Sequence, residues 1–242
     1  MKKRIVFILN NLQYADGVAK VLVELCNFLD EKLFDITIIP IYRCDSNFIK
    51  LLRPHIHIQK TLGFYFRGLD KIVNALPIRF LYQKIVGGNY DIEVAFQYGL
   101  ATRMIANSTN RNAKHYAWMH GYDEGLTLRK EYPKFDKVFC VSKFNEDRLR
   151  KESNGTVNVD CCYNIIDESK ILEASNEEIS EDTSRKPVFV AVGRQTPEKG
   201  FLRLVDVVNC LKKDGYQFTL WLIGDGAEHQ QLVDKVSSER LE

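Results

Sequence analysis

The chain has 242 residues, 34 of them basic and 32 acidic, with 45% hydrophobic residues, 14 Gly, 6 Pro and 6 Cys, which excludes collagen-like, disulfide-scaffold and wholly disordered classes. Its length fits one large domain, or one domain with part of another. The net charge of +2 hides a division, 23 Lys/Arg against 15 Asp/Glu in residues 1–150 and 11 against 17 in residues 151–242, so two units with different partners are expected, the basic one facing phosphates or anionic lipid.

Met1-Lys2-Lys3-Arg4 before an apolar run has the outline of a signal peptide. The run stops at Asn10-Asn11 and no small-residue cleavage site follows, so residues 4–10 are predicted as a first β-strand. Val18, Val21, Leu22, Leu25 and Leu29 recur at helical spacing and predict a helix over 18–29. Further strands are predicted at 34–41, 55–59, 91–97, 114–119, 137–142 and 157–163, with helices at 99–107 and 143–152. Strands alternating with crossover helices predict a parallel sheet and a complete Rossmann-like α/β domain over residues 1–166.

Residues 167–186 are a predicted acidic connection. Asp167, Glu168, Glu173, Glu177, Glu178, Glu181 and Asp182 accompany Lys170; the first half reads as a short helix and 175–186 as an exposed linker. The pattern then restarts, with strands at 187–192 and 218–223 and helices at 200–213 and 227–237. Two βα units do not close a doubly wound sheet, so 187–242 is expected to be the first βαβα part of a second Rossmann-like domain, truncated.

No stretch approaches the ~18 uninterrupted apolar residues of a spanning helix. Cys26, Cys44, Cys140, Cys161, Cys162 and Cys210 form no C-x-x-C and have no His at metal-ligand spacing; most sit in apolar runs as small hydrophobes. A cytoplasmic chain without a metal site is expected.

In an open parallel sheet, ligands gather beyond the carboxyl ends of the strands, and four segments fall there or beside it. Residues 10–17 join the first strand to its helix, and Gly17 at the helix entry suits close approach of a phosphate, or a tight turn. No G-x-G-x-x-G is present, so a dinucleotide fingerprint is absent. Gly193-Arg194-Gln195-Thr196-Pro197-Glu198-Lys199-Gly200 sets two cations on a strand-to-helix loop, against the favourable dipole direction, an arrangement suited to a bound polyanion or to a solvated loop. Trp118-Met119-His120-Gly121 puts a His at a strand end, where it can orient a reacting sugar or phosphate, or serve structure. His55, His57, His115 and His229 have no such context, and Gly224-Asp225-Gly226 is a weak nucleotide signal. The fourth segment, Lys60 to Val86, interleaves Arg67, Lys71, Arg79 and Lys84 with Phe64, Tyr65, Phe66, Phe80 and Tyr82 against one acid, Asp70. It suits an anionic membrane surface or a lipid-linked acceptor, or two core helices with snorkelling cations.

Gly193-Arg194 with Lys199-Gly200 before an amphipathic helix, then Leu222-Ile223-Gly224-Asp225-Gly226, resembles the donor half of retaining GT-B glycosyltransferases of the family-4 (group 1) type. The N-terminal half is similar too. Asp16-Gly17-Val18-Ala19-Lys20 resembles the family's Gly-Gly helix entry, Trp118-Met119-His120-Gly121 its Trp-Ile-His-Gly turn, and Val141-Ser142-Lys143 its Val-Ser strand end. Asn164-Ile165-Ile166-Asp167 resembles its Asn-Pro-Ile-Asp, with Ile165 in place of Pro.

The resemblance implies a GT-B-like fold and transfer of a hexosyl unit from a UDP- or GDP-sugar to a glycan or lipid-linked acceptor in polysaccharide or glycoconjugate biosynthesis. Arg194 and Lys199 would neutralise the donor diphosphate, Gly193, Gly224 and Gly226 would lie along the nucleotide, and Gly17 would let the first loop approach the phosphate. His120 would sit by the transferred sugar; no metal, cofactor or nucleic acid is expected. Asp16 stands where a Gly is usual, and its carboxylate suits a helix cap or an acceptor hydroxyl better than a diphosphate. The family's paired Glu of the donor domain lies beyond Glu242, so residues 1–242 alone are expected to turn over little. Two rival readings stand: a GT-B-fold sugar-nucleotide epimerase, and a non-catalytic acceptor-binding or membrane-docking partner of a separate donor subunit.

Overall fold

The computed structural model describes residues 1–242 except 14–16, 60, 63, 123–128, 182–186 and 242, and except the side chains of residues 70, 71 and 74. Asp16 and Lys60 therefore lie outside the described residues, as do the side chains of Asp70 and Lys71. The chain forms two compact units, Met1–Ile171 and Leu172–Glu242.

The first unit is a seven-stranded sheet in the order β3-β2-β1-β4-β5-β6-β7. Its strands are β1 (Lys3–Leu12), β2 (Phe34–Cys44), β3 (His57–Ile58), β4 (Ile92–Ala95), β5 (Lys114–Met119), β6 (Lys137–Cys140) and β7 (Val159–Cys161), and every neighbouring pair is parallel. Parallel strands need crossovers that cover both faces, and the alternation along β1 shows both covered. Ile5, Phe7 and Leu9 join one core cluster, with Ala19, Leu22, Val23 and Cys26 of α1 (Gly17–Phe28) and Phe48 of α2 (Ser46–Leu51). Val6 and Ile8 join the other, under α3 (Leu69–Ala75), α4 (Ile78–Ile85), α5 (Leu100–Ile105) and α6 (Lys143–Glu152).

Several boundaries shift from the sequence expectation. The first strand runs on to Leu12, because Leu12 is fully buried and pairs with Cys44 after a register shift between Leu9 and Asn11. Gly99 is not in α5; it precedes the helix at φ 104°, a backbone that suits glycine. The predicted strand end at 141–142 is a turn, where the Ser142 hydroxyl accepts from Asn145 N–H and caps α6. Of the Lys60 to Val86 segment, residues 69–75 form α3 and 78–85 form α4. Among the described residues no helix is long and apolar enough to cross a membrane.

One polar cluster interrupts the core near the amino end of β4. Glu93 is fully buried, accepts from Tyr82 Oη at 2.6 Å and Asn110 Nδ2 at 3.1 Å, and lies 3.3 Å from His115 Nε2. Burial pushes its carboxyl up, but hydrogen bonds with His115, Tyr82, Ser108 and Asn110 outweigh that and hold it below the usual range.

The second unit holds β8 (Val188–Val192) and β9 (Thr219–Ile223), parallel, with Val190 opposite Trp221. Helices α8 (Phe201–Lys213) and α9 (His229–Ser238) pack through Phe201, Val205 and Leu232 against Ala191 and Leu222. In the chain between β7 and β8, α7 (Glu168–Ala174) occupies the first half of the acidic stretch, and the unit boundary falls within it.

Candidate functional site

In the first unit the strand order reverses direction between β1 and β4, because β2 and β3 extend the sheet one way from β1 and β4 to β7 the other. A crevice at the carboxyl ends of such a pair is where open α/β sheets bind ligands. Here Gln97, just past β4, accepts at Oε1 from Asn10 N–H at 2.8 Å and from Asn11 N–H at 3.4 Å. The Asn10 side chain donates from Nδ2 to Tyr98 carbonyl oxygen at 3.0 Å, and Gly99 lies against it; a Cβ there would stand 3.7 Å from Nδ2. These contacts tie the two strand ends together.

They also aim polar groups. Asn10 Oδ1, Asn11 Oδ1 and Trp118 Nε1 are buried and have no hydrogen-bond partner among the described residues. An unmatched buried polar atom costs about 1–3 kcal/mol, so each of these three atoms has unused capacity to pair with a polar group. Trp118 stands in an aromatic ladder across the sheet, 5.2 Å from both Phe96 and Phe139 by ring centroid. His120 follows at the end of β5, edge-on to Phe96 at 4.6 Å. Gly17 is the exposed first residue of α1, with open space where a Cβ would project.

Lys143 has a structural role instead. Its Nζ lies 2.7 Å from Glu146 Oε2, and Arg150 approaches the other oxygen at 2.9 Å. Lys143 and then Arg150 hold the Glu146 carboxyl below the usual range. The Val-Ser-Lys stretch thus starts α6 and neutralises it internally.

In the second unit the loops after β8 and β9 are laced together. Gly193 N–H donates to Ile223 O at 3.0 Å, Gln195 N–H to Asp225 O at 2.8 Å, and Glu228 N–H to Gln195 O at 2.9 Å. Glycines make this approach feasible: a Cβ at Gly224 (φ 141°) would lie 1.9 Å from Gly193 O, and one at Gly226 2.4 Å from Gln195 O. The Gly-x-Gly is thereby explained by backbone packing that fixes the Arg194 loop. Gln195, only 3% exposed, meets His229 Nδ1 at 2.6 Å through Oε1. His229, without context in the sequence, proves part of the loop's anchor.

On that fixed backbone Pro197–Lys199 makes one 3-10 turn, Gly200 turns at φ 71°, and α8 begins at Phe201. Gly200, predicted inside the helix, is its left-handed lead-in. Arg194 and Lys199 are both exposed; Arg194 Nη2 is 3.8 Å from Glu198 Oε1, a pair whose side chains are 70% and 58% exposed. Glu198 is held below the usual carboxylate range, first by its own backbone N–H, then by Thr196, Arg194 and Lys199. Two cations on a rigid loop leading into a helix N-terminus offer charge to an anion with little reorganisation.

The structure places the predicted residues Gly17, His120, Gly193, Arg194, Lys199, Gly224 and Gly226 each at a strand end or helix entry of its unit. Sequence reasoning did not single out Asn10 and Asn11 as candidate site residues, Gln97 as their clamp, or the Gln195–His229 pair. The asparagines lay in a loop it had singled out, and their amides were the available signal.

No family model matches the sequence, and no curated protein matches it. Solved structures do. A glycosyltransferase from Rickettsia africae aligns with a TM-score of 0.64 at 18% identity, covering 99% of this chain and 66% of that one. Sucrose-phosphate synthase from Thermosynechococcus elongatus aligns with a TM-score of 0.67 at 16% identity, covering 99% and 68%. A TarM mutant from S. aureus, in complex with fondaparinux, α-GlcNAc-glycerol and UDP, gives 0.66 at 10%, covering 99% and 76%. The chain thus spans about two thirds of the length of the Rickettsia africae protein. These neighbours are GT-B glycosyltransferases, and what the chain shares with them is the α/β, GT-B-like fold.

Proposed function

We propose that this chain is a glycosyltransferase, or part of one, that passes a hexosyl unit from a UDP- or GDP-sugar to a glycan or lipid-linked acceptor in glycoconjugate biosynthesis. The observation that carries the reading is the loop bearing Arg194 and Lys199, fixed by Gly224, Gly226 and the Gln195–His229 contact. As the bond between the sugar's anomeric carbon and the diphosphate oxygen breaks, its electron pair moves onto the diphosphate. Arg194 and Lys199 stabilise that charge, which is electrostatic catalysis of departure and places no metal in the step. The acceptor hydroxyl bonds to the same carbon on the retained face and yields its proton to the departing phosphate oxygen. Within the first unit taken by itself, His120, Asn10 and Asn11 offer polar groups suited to sugar hydroxyls. Two features support the reading: the fold is shared with the glycosyltransferases above, and the TarM complex contains UDP.

We further propose a cytoplasmic setting at the inner face of the membrane, supported by the six free cysteines, which suit a reducing compartment. The test is binding of UDP, GDP and their sugars by calorimetry, followed by product analysis with candidate acceptors. Arg194→Ala and Lys199→Ala are each expected to weaken nucleotide binding about tenfold to a hundredfold, the equivalent of one lost charged hydrogen bond. Binding unchanged in both variants removes the diphosphate assignment. Interconversion of the free donor without any acceptor would replace transfer with epimerisation.

A further inference from the structure

Among the described side chains, the outward sides of α3 and α4 carry large apolar residues among exposed polar and basic ones. Both helices bury one side in the core through Leu69, Val73, Leu81, Tyr82 and Ile85. Their outward side exposes Ile72 (58%) and Phe80 (49%), and Leu76 between them is 43% exposed. The preceding loop adds Phe64 (54%) and Phe66 (51%), whose rings stack 6.4 Å apart. Single exposed apolar residues are ordinary, but a run of large ones within so short a span marks an interaction surface.

The charge around these side chains identifies the partner. Arg67, Arg79 and Lys84 are exposed beside them, and Arg43 reaches in from the end of β2, its guanidinium 5.6 Å from the Tyr65 ring and 3.0 Å from Tyr65 O. Lys84 lies 5.9 Å from the Phe80 ring. Among the described residues none of these four cations forms an ion pair. Rings beside uncompensated cations match a bilayer surface, where apolar groups enter the acyl boundary and cations meet lipid phosphates.

We infer that the described side chains between Leu62 and Lys84 form a docking surface for an anionic lipid bilayer. The loop is not free to choose its place. Leu62 N–H donates to Ile41 O at 3.3 Å and Thr61 Oγ1 to Pro40 O at 2.8 Å, so residues 61 and 62 hang from the carboxyl-terminal part of β2. That is the edge of the sheet that carries Asn10, Gln97 and His120. If the proposed function holds, an acceptor anchored in the bilayer is presented to this edge; docking itself does not depend on that reading.

The test is flotation of the full chain with vesicles of neutral phosphatidylcholine and with vesicles containing about 30 mol% phosphatidylglycerol, at low and high salt. Binding is expected only to the anionic vesicles and is expected to fall as salt rises. The triple variant Arg67→Glu/Arg79→Glu/Lys84→Glu is expected to lower partitioning about a hundredfold or more, and Phe64→Ser/Phe66→Ser about tenfold. A control of equal charge change, Lys32→Glu/Lys50→Glu/Arg53→Glu, uses exposed cations elsewhere in the same unit and is expected to bind nearly as the parent does. All the substituted side chains are exposed, and unchanged circular dichroism confirms that each variant is folded. Equal partitioning to neutral and anionic vesicles, no binding to either, or equal loss in the control overturns the inference. Nucleotide binding by the parent chain reads the proposed function separately.

Discussion

β1 and β8 are both runs of β-branched and aromatic residues, yet they end in opposite surroundings. In β1, Val6, Ile8, Leu9 and Leu12 are wholly removed from water, because helices cover both faces of the seven-stranded sheet. In β8, Val190 and Val192 on one face remain 52% and 75% exposed; the opposite face meets α8 and α9 through Ala191, while Phe189 on that same face is still 52% exposed. Apolar area stabilises at about 25 cal/mol per Å² only where it is taken from water. Similar strand sequences therefore contribute very different stability, and the cations proposed to meet the diphosphate sit in the less protected unit.

Measurements on each unit test this contrast. The largest expected effect is in amide exchange: β1, β4 and β5 should be protected about a thousandfold more than β8 and β9, a ratio corresponding to roughly 4 kcal/mol. Mass-spectrometric exchange showing equal protection would erase the division. Next, Ile8→Ala should cost about 2–5 kcal/mol in denaturant unfolding of the first unit, whereas Val190→Ala should stay within about 0.5 kcal/mol. A comparable cost at both positions would mean that the exposed face of β8 is covered in solution.

A smaller effect concerns the buried carboxyl. Glu93 is held below its usual range, so it stabilises the folded first unit at pH values above the ordinary carboxylate pKa. That contribution is lost as pH falls through the depressed folded value. Glu93→Gln should cost about 1–3 kcal/mol at neutral pH and should flatten the acid limb of stability below about pH 4.5. An acid limb as steep as the parent's would place the sensitivity in the exposed pairs, such as Lys114–Asp136 at 2.6 Å.

Legibility followed the range of the interactions. The strands were readable because runs such as 4–10 and 34–41 are locally apolar; the caps at Ser142 and Gly200 were not, because each residue continued the pattern of the element beside it, Ser142 a strand and Gly200 a helix. The short α2 was not anticipated, although Asp45, which accepts from Asn47 N–H at 2.8 Å, is an ordinary helix-starting signal. What joins Asn10 to Gln97 could not be read, because those residues are 87 apart and meet only once β1 and β4 are neighbours. Glu93 was equally hidden: a lone acid in a strand looks solvent-facing until Tyr82, Asn110 and His115 converge on it. Gly224 and Gly226 were legible as glycines, but their reason, the carbonyls of Gly193 and Gln195, lies some thirty positions earlier.

The ladder of rings around Trp118 has a spectroscopic consequence. The chain contains 2 tryptophans, Trp118 among Phe96 and Phe139 in one unit and Trp221 on β9 in the other. Each unit thus carries its own intrinsic fluorophore. Replacing either indole with phenylalanine leaves a chain whose emission reports on one unit alone, so events at the Asn10–His120 edge and at the Arg194 loop can be timed independently without an added dye.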